Sequence, residues 1–477
     1  MPPLRISPRI SVSVVFVSAM FMTIMDATIV NVALPSISHQ FDVSTAALDS
    51  VAVGYLVSLA VVIPAAGWLG DRFGPKRVLL LAVALFTVAS VLCGFSTSLH
   101  ELVAFRVLQG IGGGMMVPVG MALLFRTFPP EDRVRAASLL LVATATAPAT
   151  GPVLGGLLTT YLSWRWVFFV NLPIGLIVIV FGLLFLDPHH EPRPGGFDLP
   201  GFVLSGGGLA LVMFGLSEGS NLGWATAPVL TSLAVGTVLL VVLVRVELAR
   251  SEPILELRLY ANRLFRTATT ATQIGTGAFL GVLFVVPLFL QSGLGLDPLQ
   301  SGLATFPEAI GVMIGSQIAS RVLYPRLGPR RLVAGALVAT SGCMCLLALI
   351  GSVHQLWWMR VLMLALGTCI GQVLVSTQAA AFATVSHEQT GHASSLFNSQ
   401  RQLGSAIGVA LLATVLDAVG TVHVVYGHPV PHLAAYHVAF LAAAGMALVG
   451  AAVSLGIHDA DAAVTMVRRP ARVQSEG

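Results

Sequence analysis

The sequence predicts an all-α, polytopic membrane protein, and three observations carry that expectation. Of its 477 residues 56% are hydrophobic and 10% charged, and the mean hydropathy is +0.89. A water-soluble core cannot hide so much apolar surface, so lipid must be part of the solvent. Charge-free runs at 78–100, 107–125, 136–164, 267–296 and 332–359 approach or exceed the ~20 residues that span a bilayer as helix. They lack the ~10-residue alternation of an outer-membrane barrel, and backbone groups in lipid need internal partners, which leaves helix.

Taken in order, the spans are expected near 10–33, 47–69, 78–97, 100–125, 136–160, 166–186, 199–217, 226–245, 267–290, 300–323, 332–351, 355–380, 393–416 and 436–457. That makes fourteen, an even number, which puts both termini on one side. The first apolar stretch runs on from Arg9 to about Leu34 without a small-residue cleavage site, so it reads as a retained helix and not a signal peptide. Cytoplasmic loops hold the positive charge. One set of alternate segments carries Arg5 and Arg9; Arg72, Lys76 and Arg77; Arg126, Arg133 and Arg135; Arg193; Arg245, Arg250, Arg258, Arg263 and Arg266; Arg326, Arg330 and Arg331; and Arg468, Arg469 and Arg472. The other set holds only Arg165 and Arg360 clearly. Both termini are therefore expected in the cytoplasm. Charges so dispersed do not form a nucleic-acid patch, despite the formal +4.

The polar, Pro- and Gly-rich segment 187–201 separates six spans from the rest and reads as a linker. The plan is six, two, six: a first bundle over 1–186, a linker with two additional helices over 187–263, a second bundle over 264–457 and a cytoplasmic tail over 458–477. Cys93, Cys343, Cys345 and Cys369 fall inside spans without metal-ligand spacing, and read as packing residues. The glycines at 112–114 and 206–208 follow no strand and precede no GK[ST], so they are not phosphate loops.

The loop GWLGDRFGPKR at 67–77 joins the second and third spans. Gly67 and Gly74 allow a tight reversal, while Asp71, Arg72, Lys76 and Arg77 put both signs in one short connection. A positive-inside loop explains the basic residues but not an acid among them. The pattern G-x-L-x-D-R-x-G-x-K-R resembles that of the major facilitator superfamily, and a weaker echo at 321–331, RVLYPRLGPRR, lacks the aspartate. Two related halves would produce such an echo. Further stretches resemble the superfamily's fourteen-helix drug:proton antiporter branch (EmrB/QacA-like). They are MDATIVNVALP on helix 1, GPVLGGLL on helix 5, WRWVFFVNLPIG at 164–175, FDLPG at 197–201 and SSLFNSQRQLGSAIGVA at 394–410.

On helix 4, Arg106, Gln109, Gly110 and Gly113 recur at i, i+3, i+4 and i+7 and share one face. The resemblance implies that this arginine face takes part in proton coupling. On helix 5, Ala147, Gly151 and Gly155, and likewise Pro148, Pro152 and Gly156, repeat every four residues and let another helix approach. GPVLGGLL matches the antiporter motif associated with exporters. The resemblance also implies two bundles rocking about a midplane site, with the 67–77 loop fastening their cytoplasmic ends.

An ionisable residue inside a span costs ~2.5–3.5 kcal/mol and should face a cavity or a partner. Asp26, Arg106 and Glu308 are expected in one layer, with Asp26 the first choice of proton carrier and competing with substrate for that layer. Gln109, Gln273, Phe279 and Gln378 are weaker candidates for the substrate cavity. The expected function is export of hydrophobic or amphiphilic drugs, cationic ones included, driven by the proton gradient, by a monomer in the bacterial cytoplasmic membrane. Protons, lipid and a small amphiphilic molecule are the expected partners; no metal, organic cofactor, nucleic acid or enzymatic activity is expected. A dedicated exporter of one endogenous metabolite, such as an antibiotic or siderophore, and a non-transporting membrane sensor or lipid-moving scaffold are the alternatives.

Overall fold

The computed structural model describes residues 7–43, 45–187, 195–425 and 428–466. Arg5, Arg193, Arg468, Arg469 and Arg472, with parts of the linker and tail, lie outside the described residues. In chain order the helices are α1 (Pro8–Phe41), α2 (Thr45–Phe73), α3 (Pro75–Phe95), α4 (Leu99–Thr127), α5 (Arg133–Tyr161), the short α6 (Trp166–Phe169) and α7 (Asn171–Phe185). Two more follow, α8 (Leu199–Leu222) and α9 (Ala227–Ala249). Then come α10 (Arg263–Leu288), α11 (Pro298–Thr305), α12 (Pro307–Ile318), α13 (Tyr324–Leu347), α14 (Leu356–Ala381), α15 (Thr390–Val419), α16 (Leu433–Ser454) and the single turn α17 (Ala463–Met466).

Local chemistry explains most of the boundaries. Ser98, Asp198, Asn262 and Asp297 cap α4, α8, α10 and α11 by accepting backbone N–H bonds through their side chains. α1 outruns the expected 33 as far as Phe41, because its last turns are polar and end only at Asp42, whose φ is 51°. The expected all-α chain is corrected in one place. Gly420, at φ 80°, stops α15, and the β-branched run after it pairs as β1 (Val422–Val425) with β2 (His428–Pro431) in an antiparallel hairpin.

Twelve helical stretches among the described residues are long and apolar enough to cross a membrane. One of them, Leu299–Leu347, runs 49 residues, more than twice the ~20 that a crossing needs, and is broken at Gly328, where φ is 74° and ψ 164°. α5 is a further helix of 29 residues, outside those twelve.

α4 packs against α1, α2 and α3. A Cβ on Gly114 would stand 2.5 Å from the Leu59 carbonyl oxygen, and one on Gly112 would stand 2.8 Å from the Phe86 amide nitrogen. The 112–114 glycines thus serve helix contact. α1 lies along α5, α10 packs among α14, α15 and α16, and α12 lies on α14. α8 touches α2, α15 and α9. α9 packs chiefly on α8, leaving Val235, Val238 and Val241 exposed, as a lipid-facing helix requires.

The expected loop at 67–77 is corrected to a one-glycine break, since 67–73 end α2 and 75–77 begin α3, and the echo at 321–331 breaks in the same way. Gly74, at φ 89°, separates Phe73 from Pro75, the first residue of α3. Gly328 does the same between Leu327 and Pro329, and the acid missing from that echo comes from elsewhere: Arg330 N–H donates to Asp459 Oδ1 at 2.9 Å. Gly328→Ala should therefore destabilise the protein by at least about 1–2 kcal/mol, from left-handed backbone strain alone. A Cβ there would also stand 2.6 Å from the Asp459 carboxyl carbon. A lower thermal-unfolding midpoint in detergent is the expected reading, and an unchanged one would contradict the assignment.

Candidate functional site

Polar residues scattered over α1 to α7 converge on one carboxylate. Asp26 on α1 is wholly buried. Its Oδ2 accepts from Arg106 Nη1 of α4, and its Oδ1 accepts from Gln109 Nε2 at 2.8 Å and from Asn171 Nδ2, on α7, at 3.0 Å. Arg106 Nη1 also donates to Gln109 Oε1 at 2.8 Å, and its guanidinium lies 4.2 Å from the centre of the Tyr55 ring on α2. Asn171 Nδ2 donates in addition to Ser90 Oγ of α3 at 3.0 Å, and Ser90 in turn donates to the Phe168 carbonyl at 2.9 Å. One carboxylate and one guanidinium therefore tie α1, α2, α3, α4 and α7 together.

The spacing of the α4 motif accounts for part of this. Arg106 and Gln109 are one turn apart and reach the same acid, while Gly110 brings α2 close enough for a Cβ there to meet the Tyr55 carbonyl oxygen at 2.4 Å. Gln109, expected to line a substrate cavity, is instead fully buried inside the network. The pair faces no open cavity either, with Arg106 1% exposed and Asp26 0%. The helical wheel places these groups on an inward face, but only packing decides whether inward means cavity or core.

A second cluster joins the first six helices to α14 and α15 at the arginine-rich end. Asp71 Oδ1 accepts from Arg126 Nη2 at 2.8 Å, and Arg126 Nε donates to the His387 carbonyl at 3.3 Å. Gly67 N–H donates to Ser395 Oγ at 2.8 Å, and a Cβ on Gly67 would stand 2.6 Å from the Gly391 carbonyl oxygen. Arg133 donates to the Phe382 carbonyl, and the Phe125 and Phe382 rings stack at 4.6 Å. Of the residues expected in a gate, Gly67 and Asp71 join this cluster. Arg72 and Arg77 are exposed, Gly74 shapes the turn, and Lys76 donates to the Leu183 carbonyl at 3.2 Å and to that of Leu186, tying the loop to the end of α7. Arg126 and Arg133, which the sequence marked only as topology charges, do the joining.

On α5 the Gly151–Gly155 stripe packs on α1, where Cβ atoms would meet Thr28 Oγ1 at 2.1 Å and Ile29 at 3.0 Å. The side chain of Pro152 lies outside those described. Gly156 looks the other way, with nothing within 4 Å of a Cβ built on it, and its neighbours Val153 and Leu157 are 62% and 51% exposed.

The Glu308 carboxylate, in the first turn of α12, makes no hydrogen bond or ion pair among the described residues and stands outside the Asp26 network. Gln273 of α10 accepts from Gln400 Nε2 of α15 at 2.9 Å, and Gln400 Oε1 accepts from Tyr260 at 2.7 Å. Phe279 belongs to the apolar core and Gln378 is buried on α14. The sequence reading passed over Asn171, Ser90 and Tyr55. An amide in the apolar run 166–185 was the available signal, since such a group needs a partner in lipid. Arg401, midway along α15, was missed as well; its Nη2 donates to Asn398 Oδ1 at 3.2 Å, and it forms no ion pair among the described residues.

Residues 16–409 match the family model described as Major Facilitator Superfamily. Among relatives, a protein of Pectobacterium carotovorum is 32% identical over 416 residues, covering 87% of this chain and 88% of its own. One of Escherichia coli is 33% identical over 413 residues, covering 85% of each. Both are named "Putative multidrug resistance protein MdtD". Among solved structures, the human organic anion transporter MFSD10 (TETRAN) aligns with a TM-score of 0.67 at 17% identity, over 94% of this chain and 99% of that one, which establishes a shared fold.

Breaking the buried pair from one side leaves a desolvated charge. Arg106→Met should lose about 3–5 kcal/mol of stability, whereas the double variant Asp26→Asn with Arg106→Gln, which removes both charges, should lose less. Thermal midpoints of the three proteins in one detergent measure this. A double variant no more stable than Arg106→Met would mean that the pair is not energetically coupled.

Proposed function

Because the chain belongs to the Major Facilitator Superfamily, and is thus a multi-pass membrane transporter and not an enzyme, we propose that it is a proton-coupled exporter of hydrophobic and amphiphilic drugs, cationic ones included. The observation that carries this reading is the Asp26 carboxylate, held by three side-chain donors from α4 and α7. The names of the bacterial relatives support the drug class.

The proposed membrane arrangement has fourteen crossings, with the Leu299–Leu347 stretch crossing twice and α5 once. The first bundle ends near 186, the additional helices lie within 187–263, the second bundle runs from 264 to 457, and the tail follows. Both termini face the cytoplasm of a bacterial cell, which the arginine-rich loops support. A monomer suffices, since one chain supplies both bundles.

In this reading the cluster of Gly67, Asp71, Arg126 and Arg133 closes the cytoplasmic side, and the molecule faces outward. The open surroundings of Gly156 and the exposure of Val153 and Leu157 on the opposite part of α5 support that assignment. Ionised Asp26 can only accept hydrogen bonds. A proton arriving from outside converts one oxygen into a donor and removes the charge that holds Arg106. Arg106 then keeps its contact with the Tyr55 ring but loses its tie to α1, so the packing of α1 against α4 is free to change. Proton entry is thereby linked to a helix rearrangement that reopens the cytoplasmic side, with the proton gradient as the energy source. Because the network is buried, substrate and proton are coupled through this rearrangement and do not share a binding layer.

In proteoliposomes, Asp26→Asn should lower substrate-driven proton movement by about two orders of magnitude, the scale of a lost proton-transfer group. Substrate binding measured by equilibrium dialysis should survive the change. Unaltered coupling would leave Asp26 a structural residue. Gly67→Val should hold the α2 and α15 ends apart, lengthening spin-label distances between them and slowing transport; distances equal to wild type would exclude the gate.

A further inference from the structure

A separate cavity of about 910 Å³ lies between α2, α4 and α8. That is within the ~300–1,000 Å³ usual for small-molecule sites. Its walls are whole helix faces. Val53, Val57 and Val61 line it from α2 at four-residue intervals, and Phe214, Glu218 and Leu222 line it from α8 at the same interval. The two helices touch where a Cβ on Gly206 would stand 3.0 Å from Val61 Cγ1. The cavity extends beyond that contact, toward the last residue of α8.

Glu218 is the one charged residue among those lining the cavity. It is half-buried, and it has neither a hydrogen bond nor an ion pair among the described residues. It lies four residues before Leu222, about 6 Å along the axis from the end of α8. A carboxylate at that depth is expected to have a partner. None of the described residues supplies one, and the apolar faces below it fit the body of a molecule that carries one.

We propose that this groove is a second, lateral binding site, taking an amphiphilic monocation whose charge rests on Glu218 and whose apolar part lies along the valines of α2 and Phe214. The occupant is argued from charge complementarity: a hydrocarbon chain alone satisfies the walls but leaves the carboxylate without a counterion. The site also gives α8 a use, as one wall of a groove, with α9 bracing it from the lipid side. Placing the groove at the outer leaflet rests on the orientation proposed above; the site itself does not.

The test uses full-length protein in nanodiscs of neutral lipid and a photoreactive probe, a benzophenone-bearing alkyltrimethylammonium, with adducts mapped by mass spectrometry. Adducts are expected on α2 and α8, with tetraphenylphosphonium competing for them. Glu218→Gln should reduce them at least tenfold and Glu218→Asp should retain them. Leu211→Trp, which fills the groove without touching the charge, should abolish them. Adducts on α2 and α8 report this site alone, and substrate-driven proton movement, measured with Asp26→Asn, reports coupling, so that failure of proton coupling and failure of this site are read separately. Equal labelling of wild type and Glu218→Gln, or equal labelling by an uncharged ether analogue of the probe, would overturn the proposal and leave a groove that holds lipid chains only.

Discussion

The first six helices are organised around a charge that lipid cannot solvate. Asp26 is wholly buried on α1, so its two oxygens must be satisfied by groups from other helices, and Arg106, Gln109 and Asn171 do so. Each donor fixes its helix relative to α1. Arg106 extends the constraint to α2 through the Tyr55 ring, and Asn171 extends it to α3 through Ser90. A buried ion pair adds little net stability over an apolar replacement, but a half-broken one is costly. That asymmetry makes the arrangement of these helices depend on the charge state of one carboxylate.

Glycine does the complementary work. The donors can reach Asp26 only if α4 lies close to α2 and α3, which Gly110, Gly112 and Gly114 permit by leaving room for neighbouring backbone. The same principle joins α2 to α15 at the arginine-rich end, where Gly67 lies against Gly391 and brings Asp71 beside α15. Between helices in lipid there is little hydrophobic drive, so close backbone contact and interhelical hydrogen bonds carry the association. The polar clusters and the small-residue contacts are therefore one design: the second sets the distance and the first sets the register.

α8 and α9 stand somewhat apart from this scheme. α8 leans on α2 and α15, where Ala60, Leu209, Met213 and Ala406 form a small apolar cluster, and its start is tied to the end of α9 by Asp198 and Arg250 at 3.0 Å. The linker also joins the end of α2, through Trp68 donating to the Gly195 carbonyl and packing on Phe197. FDLPG is thus an anchoring segment, with Asp198 capping α8 while it holds Arg250.

By itself the sequence determined the helical class, the approximate place of each long helix and the family, because apolar length, loop charge and a short loop motif are local properties of a chain in lipid. It also marked Asp26 and Arg106, since an ion in an apolar run stands out against its neighbours, and Asp71, as an acid among basic residues. Which partners those ions choose was settled only by tertiary structure. Asn171 lies 145 residues from Asp26, Arg133 lies 249 from Phe382, and Asp459 supplies to the second basic loop the carboxylate its own motif lacks. Gln109 and Phe279 show the same limit from the other side, as helix phase put both on an inward face and only the packing around them made that face core. A hydrogen bond is satisfied by whatever the fold brings within about 3 Å, and no local pattern encodes that distance.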